Sequence, residues 1–348
     1  MKTSLVSAAA LVLFATGMAF GQTARPKNKA PAIIQATNIK AVATAGEGEH
    51  CGFPVMKRWK DQIWLGYRRA TGHTGKGDTF ILRSKDGETW TQAHKIDIGS
   101  DDRNCQFLAT SRRLFVYTGM VTKPQASDFQ TYVTYTDDGE IWSTPQPCLE
   151  PHFNLWKPFE HNGTLWANSH LKADSGSDGP KRMSRLMRSS AGVKWEQVSI
   201  VRQGNWESET TFIFGENEHL YALLRQKYGS STGFILESDP PYQTWTERKT
   251  GVHFSGHSTV EFHGVRYVFS RHYGQQSRPS TMVYIWNDGQ LTPYAQTPLN
   301  PTKGDCSYCE AVDMGADMLI TFYSSHEGKT NIYTARLPFY QKPATQPK

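Results

Sequence analysis

Tyr308, Glu209, Arg225 and Arg271 are the residues whose types could together carry out chemistry on an anionic ligand. A tyrosine phenol is a weak nucleophile at its usual pKa of about 10, and it needs a neighbouring carboxylate to accept its proton. A guanidinium stays charged at physiological pH and can bind a carboxylate through two parallel hydrogen bonds. A tyrosine and a glutamate beside two arginines are therefore suited to nucleophilic attack on an anionic substrate.

A repeated heptapeptide indicates the fold that must bring these distant residues together. Ser-Lys-Asp-Gly-Glu-Thr-Trp at residues 84–90 recurs 52 residues later as Thr-Asp-Asp-Gly-Glu-Ile-Trp at 136–142. Weaker copies at 189–195 and 238–245 keep the serine and the tryptophan. Asp-Gly fits the turn of an antiparallel hairpin. A period near 50 residues that contains several strands favours a β-propeller over a helical solenoid, and also over a β-sandwich with chance turns.

The same period appears in a second register, which predicts an all-β, six-bladed β-propeller with Asp-box turns. Runs rich in β-branched and aromatic residues are bounded by Gly, Asn and Asp, as is typical of strands. The ring is expected to close when a strand at 33–42 pairs with the last blade, since that pairing removes an exposed edge. First strands are predicted to begin, at steps of 52, 52, 52, 48 and 51 residues, near Phe53, Cys105, Lys157, Glu209, His257 and Tyr308. Second strands are predicted at 63–67, 114–118, 165–168, 220–224, 267–269 and 318–323, and third strands at 80–83, 132–135, 184–188, 234–237, 282–286 and 331–335.

The N-terminal residues predict export. Residues 1–21 read as a signal peptide, with Lys2 before an apolar run and with Ala19 and Gly21 at the cleavage site, so the protein is expected to be secreted or periplasmic. Residues 22–31 are a flexible basic lead-in, 32–341 the propeller domain, and 342–348 a disordered tail. A formal net charge of +6 permits an anionic glycan partner and gives no sign of nucleic-acid binding. We expect a monomer, and we expect no membrane span.

Five cysteines in an exported chain leave at least one thiol unpaired. One disulfide is expected at most, for instance between Cys51 and Cys105, which occupy similar places in the first two blades. Cys306 and Cys309 have the Cys-x-x-Cys spacing. They lack the strand-to-helix context of a redox site and the second pair of a zinc site. No metal and no cofactor are therefore expected.

Projecting the repeat onto a propeller gathers a cationic cup at one end of the axis. Asp78 and His73, in the loop after the second strand of blade one, compete for the role of general acid and base. Trp156 offers an aromatic face to a sugar. The residues expected to bind substrate are Arg68, Arg103, Arg225, Arg271, His257, Trp156 and Lys157.

These residues resemble the sialidase superfamily, the six-bladed Asp-box propellers. In that family a glutamate on a first strand precedes an arginine of the carboxylate-binding triad by about 15 residues, as Glu209 precedes Arg225 here. Arg271 matches a second triad arginine, and Tyr308 matches the tyrosine nucleophile before the last blade. The ending at 323–337 is similar to that of many bacterial sialidase-like proteins. The resemblance implies an exo-acting glycoside hydrolase in which Glu209 is the base for Tyr308.

The chain departs from the family at the first triad arginine. Sialidases carry it in a Tyr/Phe-Arg-Ile-Pro motif, where this chain has Cys-Gly-Phe-Pro at 51–54. Arg68, Arg69 and Arg103 are the available substitutes.

Two other functions fit the same residues. A polysaccharide lyase acting on uronates would use arginines to neutralise the carboxylate and a tyrosine or histidine to take the proton, for which His73, His257 and Tyr308 are candidates. A non-catalytic glycan-binding propeller would stack sugars on aromatic residues such as Trp156.

Overall fold

The computed structural model describes residues 32–121, 129–171, 182–204, 206–226, 232–274, 278–301 and 304–342. The predicted signal peptide, the basic lead-in and all but the first residue of the predicted tail lie outside these ranges. The described residues form β-strands and one short 3-10 turn, Glu216–Glu218. Among them, no helix has the length and hydrophobicity needed to cross a bilayer.

The strands follow one another at short intervals along the chain. The first half comprises β1 (Ile34–Gln35), β2 (Thr37–Ala43), β3 (His50–Trp59), β4 (Gln62–Ala70), β5 (Gly77–Ser84), β6 (Thr91–Ile96), β7 (Asp101–Ala109), β8 (Leu114–Val121), β9 (Phe129–Thr136), β10 (Gln146–Pro147), β11 (Phe153–His161), β12 (Thr164–Leu171), β13 (Arg182–Ser189) and β14 (Glu196–Gly204). The second half comprises β15 (Glu207–Phe214), β16 (Leu220–Gln226), β17 (Phe234–Ser238), β18 (Thr246–Lys249), β19 (Ser258–Phe262), β20 (Val265–Tyr273), β21 (Pro279–Asn287), β22 (Gln290–Gln296), β23 (Cys306–Asp313), β24 (Asp317–Ser324) and β25 (Asn331–Pro338).

These strands are arranged in antiparallel meanders, which gives the all-β, propeller-like arrangement that the repeat predicted. The sheets β11–β14 and β15–β18 each have four strands, and β19–β22 gain β1 as a fifth, parallel strand. The strands β23–β25 are completed by β2, which pairs antiparallel with β25. The meanders β3–β6 and β7–β10 form one eight-stranded sheet, because Gly77 of β5 pairs with Asp101 of β7. Within the described ranges the strands therefore form five hydrogen-bonded sheets, where six separate ones were predicted.

The first strands of the meanders lie next to one another. β3 contacts β7 and β23, β11 contacts β7 and β15, and β19 contacts β15 and β23. Each second strand and third strand proposed from the sequence falls within an observed strand. The predicted strand at 33–42 corresponds to β1 and β2, and its expected pairing with the last meander is the pairing of β2 with β25.

The repeated turns have closely matching hydrogen bonds in their two full copies. The Asp86 carboxylate accepts the backbone N–H groups of Glu88 and Thr89, at 2.8 and 2.9 Å, and these bonds hold the pKa of Asp86 at about 2. Asp138 accepts the corresponding two N–H groups, each at 2.8 Å. Both turns follow the third strand of a meander, so their aspartates serve the turn itself.

The expected disulfide between Cys51 and Cys105 is wrong, since all five cysteines are buried free thiols. Cys51 packs in a cluster with Phe53 and Tyr67, whereas Cys105 packs in a separate cluster with Phe107. The two side chains thus belong to different parts of the core, and each behaves as a small apolar residue.

Candidate active site

Tyr308 of β23 and Glu209 of β15 lie in direct contact at the same end of their strands. The Tyr308 phenol donates a hydrogen bond of 2.7 Å to Glu209 Oε1. Both strands are first strands of their meanders, and each has an irregular register at this point, between Ser307 and Glu310 in β23 and between Glu207 and Thr210 in β15. A β-bulge re-aims side chains at such positions. The bulges therefore help to direct the phenol and the carboxylate toward each other.

The backbone at Tyr308 has an unusual conformation, and the Tyr308 ring packs closely against Gly256. Tyr308 has φ of 54° and Ser307 has φ of 104°, values that non-glycine residues seldom adopt. The Tyr308 ring lies against Gly256, where an added Cβ would stand 2.5 Å from Tyr308 Cδ2. Gly256 has φ of 55° and donates its N–H to Glu209 Oε2 at 2.7 Å. Glycine is thus required at 256 for both the ring packing and the backbone conformation.

Glu209 is a buried carboxylate surrounded by donors. Arg225 Nη1 donates to Glu209 Oε1 at 2.7 Å, on the same oxygen that Tyr308 contacts. Burial opposes ionisation of Glu209, but the charge of Arg225 and the bonds from Gly256 and Tyr308 outweigh it and lower the pKa of Glu209. The carboxylate is therefore ionised, and its basicity in the free protein is low.

The Tyr308 phenol lies in an aromatic surrounding. Its ring contacts Phe53 at 5.2 Å, Trp156 at 5.6 Å and Tyr323 at 5.8 Å between centroids. Burial and the nearby Glu209 charge raise the pKa of Tyr308, although Arg225 and Arg271 both act to lower it. The resting phenol is therefore protonated, and both arginines lie close enough to influence it.

Arg271 hydrogen-bonds to a group of residues near Tyr308 and Glu209. Its Nη2 donates to the Cys306 carbonyl at 2.6 Å, to Asp305 Oδ1 at 3.1 Å and to the Tyr323 hydroxyl at 3.0 Å. The Tyr323 hydroxyl itself donates to Asp305 Oδ1 at 2.7 Å. Asp305 thus links Arg271 and Tyr323. It lies immediately before β23, three residues before Tyr308.

Of the two acid/base candidates, only His73 lies beside this group. Its Nδ1 is 2.7 Å from Asp305 Oδ2, and its ring contacts Phe53 at 5.3 Å. Asp78 is instead ion-paired with Lys95 at 2.7 Å. Asp78 lies on β5, the third strand of its meander, and not in the loop where the sequence placed it.

Arg68 and Arg103 are committed to holding a loop and do not face Tyr308. Arg68 is fully buried, donates to Asp101 through Nε at 2.8 Å, and reaches the carbonyls of Gly72 and Gly75 at 3.0 and 2.7 Å. Arg103 is ion-paired with the other carboxylate oxygen of Asp101. Most of the Arg68 donors are thus engaged within the protein, and its role in substrate binding remains a prediction.

The remaining predicted binding residues are also internal. His257 is 0% exposed and bonds through Nε2 to the Leu223 carbonyl at 2.7 Å, and burial lowers its pKa to about 4. Trp156, 1% exposed, supports the Tyr308 ring from within and is too deeply buried to stack on a sugar. Lys157 pairs with Glu310 further along the strands. All three side chains are buried, and their predicted role in substrate binding remains a prediction.

Asp305 and Tyr323 are site residues that the sequence analysis missed. Asp305 stands immediately before β23, as Asp101 begins β7, so an acidic residue at the start of a first strand was the available signal. Tyr323 lay within a correctly predicted second strand, where an aromatic residue is usually core. Only its hydroxyl contacts distinguish it.

A cavity of about 750 Å³ adjoins the site at Arg271. It extends between the meander β15–β18 and the meander β19–β22. Its polar and aromatic lining includes Lys249, His253, Arg271, His272, Tyr273 and Tyr284. The space is of the size that small-molecule sites occupy.

Solved structures with a similar fold include a protein of unknown function and sialidases. A protein of unknown function from Dyadobacter fermentans superposes with a TM-score of 0.74 at 18% identity, over 87% of this chain and 99% of that one. Trypanosoma rangeli sialidase in complex with sialic acid gives 0.68 at 14% identity, over 88% of this chain, which spans 60% of the sialidase. The parainfluenza virus 5 hemagglutinin-neuraminidase ectodomain gives 0.55 at 9% identity, over 89% of this chain and 86% of that one. No family model and no curated protein sequence matches the chain. At these identities the likeness concerns the fold alone.

Proposed function

We propose that the protein is a sialidase-like glycoside hydrolase that removes a terminal acidic sugar from a glycan. The observation that carries the proposal is the 2.7 Å hydrogen bond from Tyr308 to Glu209 Oε1, with Arg225 on the same oxygen. A tyrosine paired with a carboxylate base is the nucleophile of sialidases. Tyr308 attacks the anomeric carbon while its proton passes to Glu209, and water then hydrolyses the glycosyl–tyrosine bond.

Arg225 couples substrate binding to activation of the nucleophile. In the free protein its charge keeps the pKa of Glu209 low, which makes Glu209 a weak base for the Tyr308 proton. A substrate carboxylate that binds Arg225 neutralises part of this charge. The pKa of Glu209 then rises and proton transfer from Tyr308 becomes easier, so an anionic sugar is preferred over a neutral one.

His73 is the proposed general acid for the leaving group. Asp305 engages its Nδ1 and thereby orients the ring, while Nε2 remains to exchange a proton. The His73 side chain is 57% exposed, which suits a group that must reach a bound glycan. Asp78, ion-paired with Lys95, is not assigned this role.

We further propose that the meanders form six blades closed into a ring by β2. The contacts of each first strand with its two neighbours support this count, as does the single residue pair that joins the two meanders of the eight-stranded sheet. The pairing of β2 with β25 would join the two ends of the chain in the last blade. The N-terminal sequence supports export to the periplasm or the medium.

A screen of acidic glycans read in two ways tests the function. Oligosaccharides ending in sialic acid or in a uronic acid, and neutral analogues as controls, are incubated with the purified protein. Release of the terminal acidic sugar, without ultraviolet absorbance from an unsaturated product, is the expected result. An unsaturated product would favour the lyase. Binding without turnover, unchanged in Tyr308→Phe, would favour a glycan-binding propeller and overturn the hydrolase.

A further inference from the structure

Two histidines and an aspartate converge beside the candidate active site. One ligand atom from each of His50, His73 and Asp305 lies within 4.8 Å of the others. Asp305 Oδ2 is 2.7 Å from His73 Nδ1 and 3.5 Å from His50 Nε2. The ligands of a tetrahedral zinc ion, each about 2 Å from the metal, stand about 3.3 Å apart. The observed separations lie on either side of that value, so small side-chain movements would suffice to admit an ion.

His50 provides an independent sign that this cluster binds something. It is 6% exposed, its Nδ1 has no hydrogen-bond partner among the residues that the structure describes, and its Nε2 has only the 3.5 Å contact with Asp305 Oδ2. A buried imidazole held by one long contact costs free energy, because its nitrogens have lost water and gained little in exchange. Its Nε2 faces the carboxylate oxygen that also faces His73. A ligand between the three groups would satisfy this nitrogen.

The carboxylate is held in place by contacts on its other oxygen. Asp305 Oδ1 accepts hydrogen bonds from the Tyr323 hydroxyl at 2.7 Å and from the Cys306 N–H at 3.0 Å. Arg271 also donates to Oδ1, at 3.1 Å. Metal-binding carboxylates are typically anchored by such outer hydrogen bonds. Oδ2 is thus left to the two histidines, in an orientation set by the surrounding protein.

We propose that His50, His73 and Asp305 bind one divalent transition-metal ion, with Zn²⁺ the best fit. Two imidazoles and one carboxylate are a usual ligand set for zinc, and three protein ligands leave a coordination position open to water. Calcium and magnesium prefer all-oxygen sites, so neither should bind here. The sequence analysis expected no metal, and it did not consider these residues. His50 and His73 are 255 and 232 residues from Asp305 and follow no short ligand motif.

The test measures binding of Zn²⁺ alone to the full chain, by calorimetry and by metal analysis after dialysis. One ion per chain is expected, and His73→Ala should weaken binding on the order of 100-fold or more, since even an outer contact of a metal ligand contributes about 10- to 100-fold. Because His73 is exposed, its replacement should leave the thermal unfolding temperature unchanged. Co²⁺ should give a spectrum of nitrogen and oxygen ligands without a thiolate band.

Two control variants locate the ion. His263 is 58% exposed and pairs with Asp313 at 3.1 Å, which matches the His73–Asp305 pair without a third ligand. His263→Ala should bind Zn²⁺ like the wild type. Asp97→Asn disrupts a separate acidic cluster with Asp78 and Asp102 and should also leave binding unchanged.

Absence of binding by the wild type would overturn the proposal, and so would equal affinities of His73→Ala and the wild type. No substrate is present, so the binding result is independent of the proposed hydrolase. An ion at His73 Nδ1 would replace the hydrogen bond to Asp305, so metal binding and the proposed general-acid role of His73 exclude each other. A metal-binding protein without glycosidase activity would retain the metal site and lose only the function proposed above.

Discussion

Tyr308 and Glu209 are 99 residues apart in the sequence, yet the phenol of one donates a 2.7 Å hydrogen bond to the carboxylate of the other. Gly256, from the strand region between them, completes the arrangement with an N–H on the second carboxylate oxygen. Residues from three meanders thus meet around one carboxylate. Four sets of variants test the chemistry of these residues and the structure that supports them.

Tyr308→Phe removes the oxygen that is proposed to attack the sugar and leaves the aromatic packing in place. Turnover of an acidic glycan should fall by at least about 10³-fold, since covalent catalysis is lost. The affinity for that glycan should remain within a few-fold of the wild type. Tyr294→Phe, which deletes a hydroxyl bonded to the Pro338 carbonyl, is the matched control and should keep full activity. Normal turnover by Tyr308→Phe would remove Tyr308 from the mechanism.

Arg225→Lys retains the positive charge near Glu209 but loses the planar guanidinium. We expect KM for anionic substrates to rise by about 10- to 100-fold, because an ammonium cannot bind a carboxylate through two parallel bonds. Binding of a neutral analogue should change little. Arg266→Lys, at a surface pair with Glu261, serves as control. Equal losses for anionic and neutral ligands would contradict a carboxylate-binding role.

Trp142→Ala tests the repeated turn as a structural element. Trp142 is half-buried, stacks on His94 with ring centroids 4.6 Å apart, and meets Trp64 edge-on at 6.0 Å. Its loss should lower the free energy of unfolding by about 1 to 3 kcal/mol, less than for a fully buried tryptophan. Ile141→Ala, at a side chain 76% exposed, should have almost no effect. Activity per folded molecule should be unchanged in both variants, as chemical denaturation and turnover assays can show.

His257→Gln tests the pH dependence of stability. The pKa of buried His257 is lowered from 6.5 to about 4. Its contribution is therefore present above pH 6.5 and is lost as the pH falls toward 4, because the unfolded chain binds a proton that the folded one does not. Over this window the wild type should lose about 3 kcal/mol relative to the variant, since each unit of pKa shift corresponds to about 1.4 kcal/mol.

The comparison must be made as a difference between the two proteins. Asp102, whose pKa is raised to about 7, titrates in an overlapping window with the opposite sign: its contribution is lost as the pH rises through 7. Glutamine can still donate to the Leu223 carbonyl, so the variant should fold. Parallel pH profiles for the two proteins, measured by urea unfolding, would show that His257 does not titrate as described.

The strands and the repeat could be predicted from the sequence, because they depend on local signals. Asp-Gly turns at 86–87 and 138–139 and the alternation of β-branched and aromatic residues are set within a few positions of the chain. The same period placed Glu209 and Tyr308 on equivalent first strands and thereby predicted their meeting. A repeat relates equivalent positions whatever lies between them.

Contacts between distant parts of the chain determine which charged residues lie together at the candidate site. Arg68 and Asp78 looked as suitable as Arg225 and His73, but their partners, Asp101 and Lys95, commit them elsewhere. The role of a charged side chain depends on which opposite charge lies within a few ångströms of it. For Arg68 and Asp78 that partner comes from another meander or strand. Asp305, which joins Arg271, Tyr323 and the two histidines, has only its place before a first strand as a local signal, and that place does not reveal its partners. Its function arises from contacts that form only when the first strands are assembled side by side.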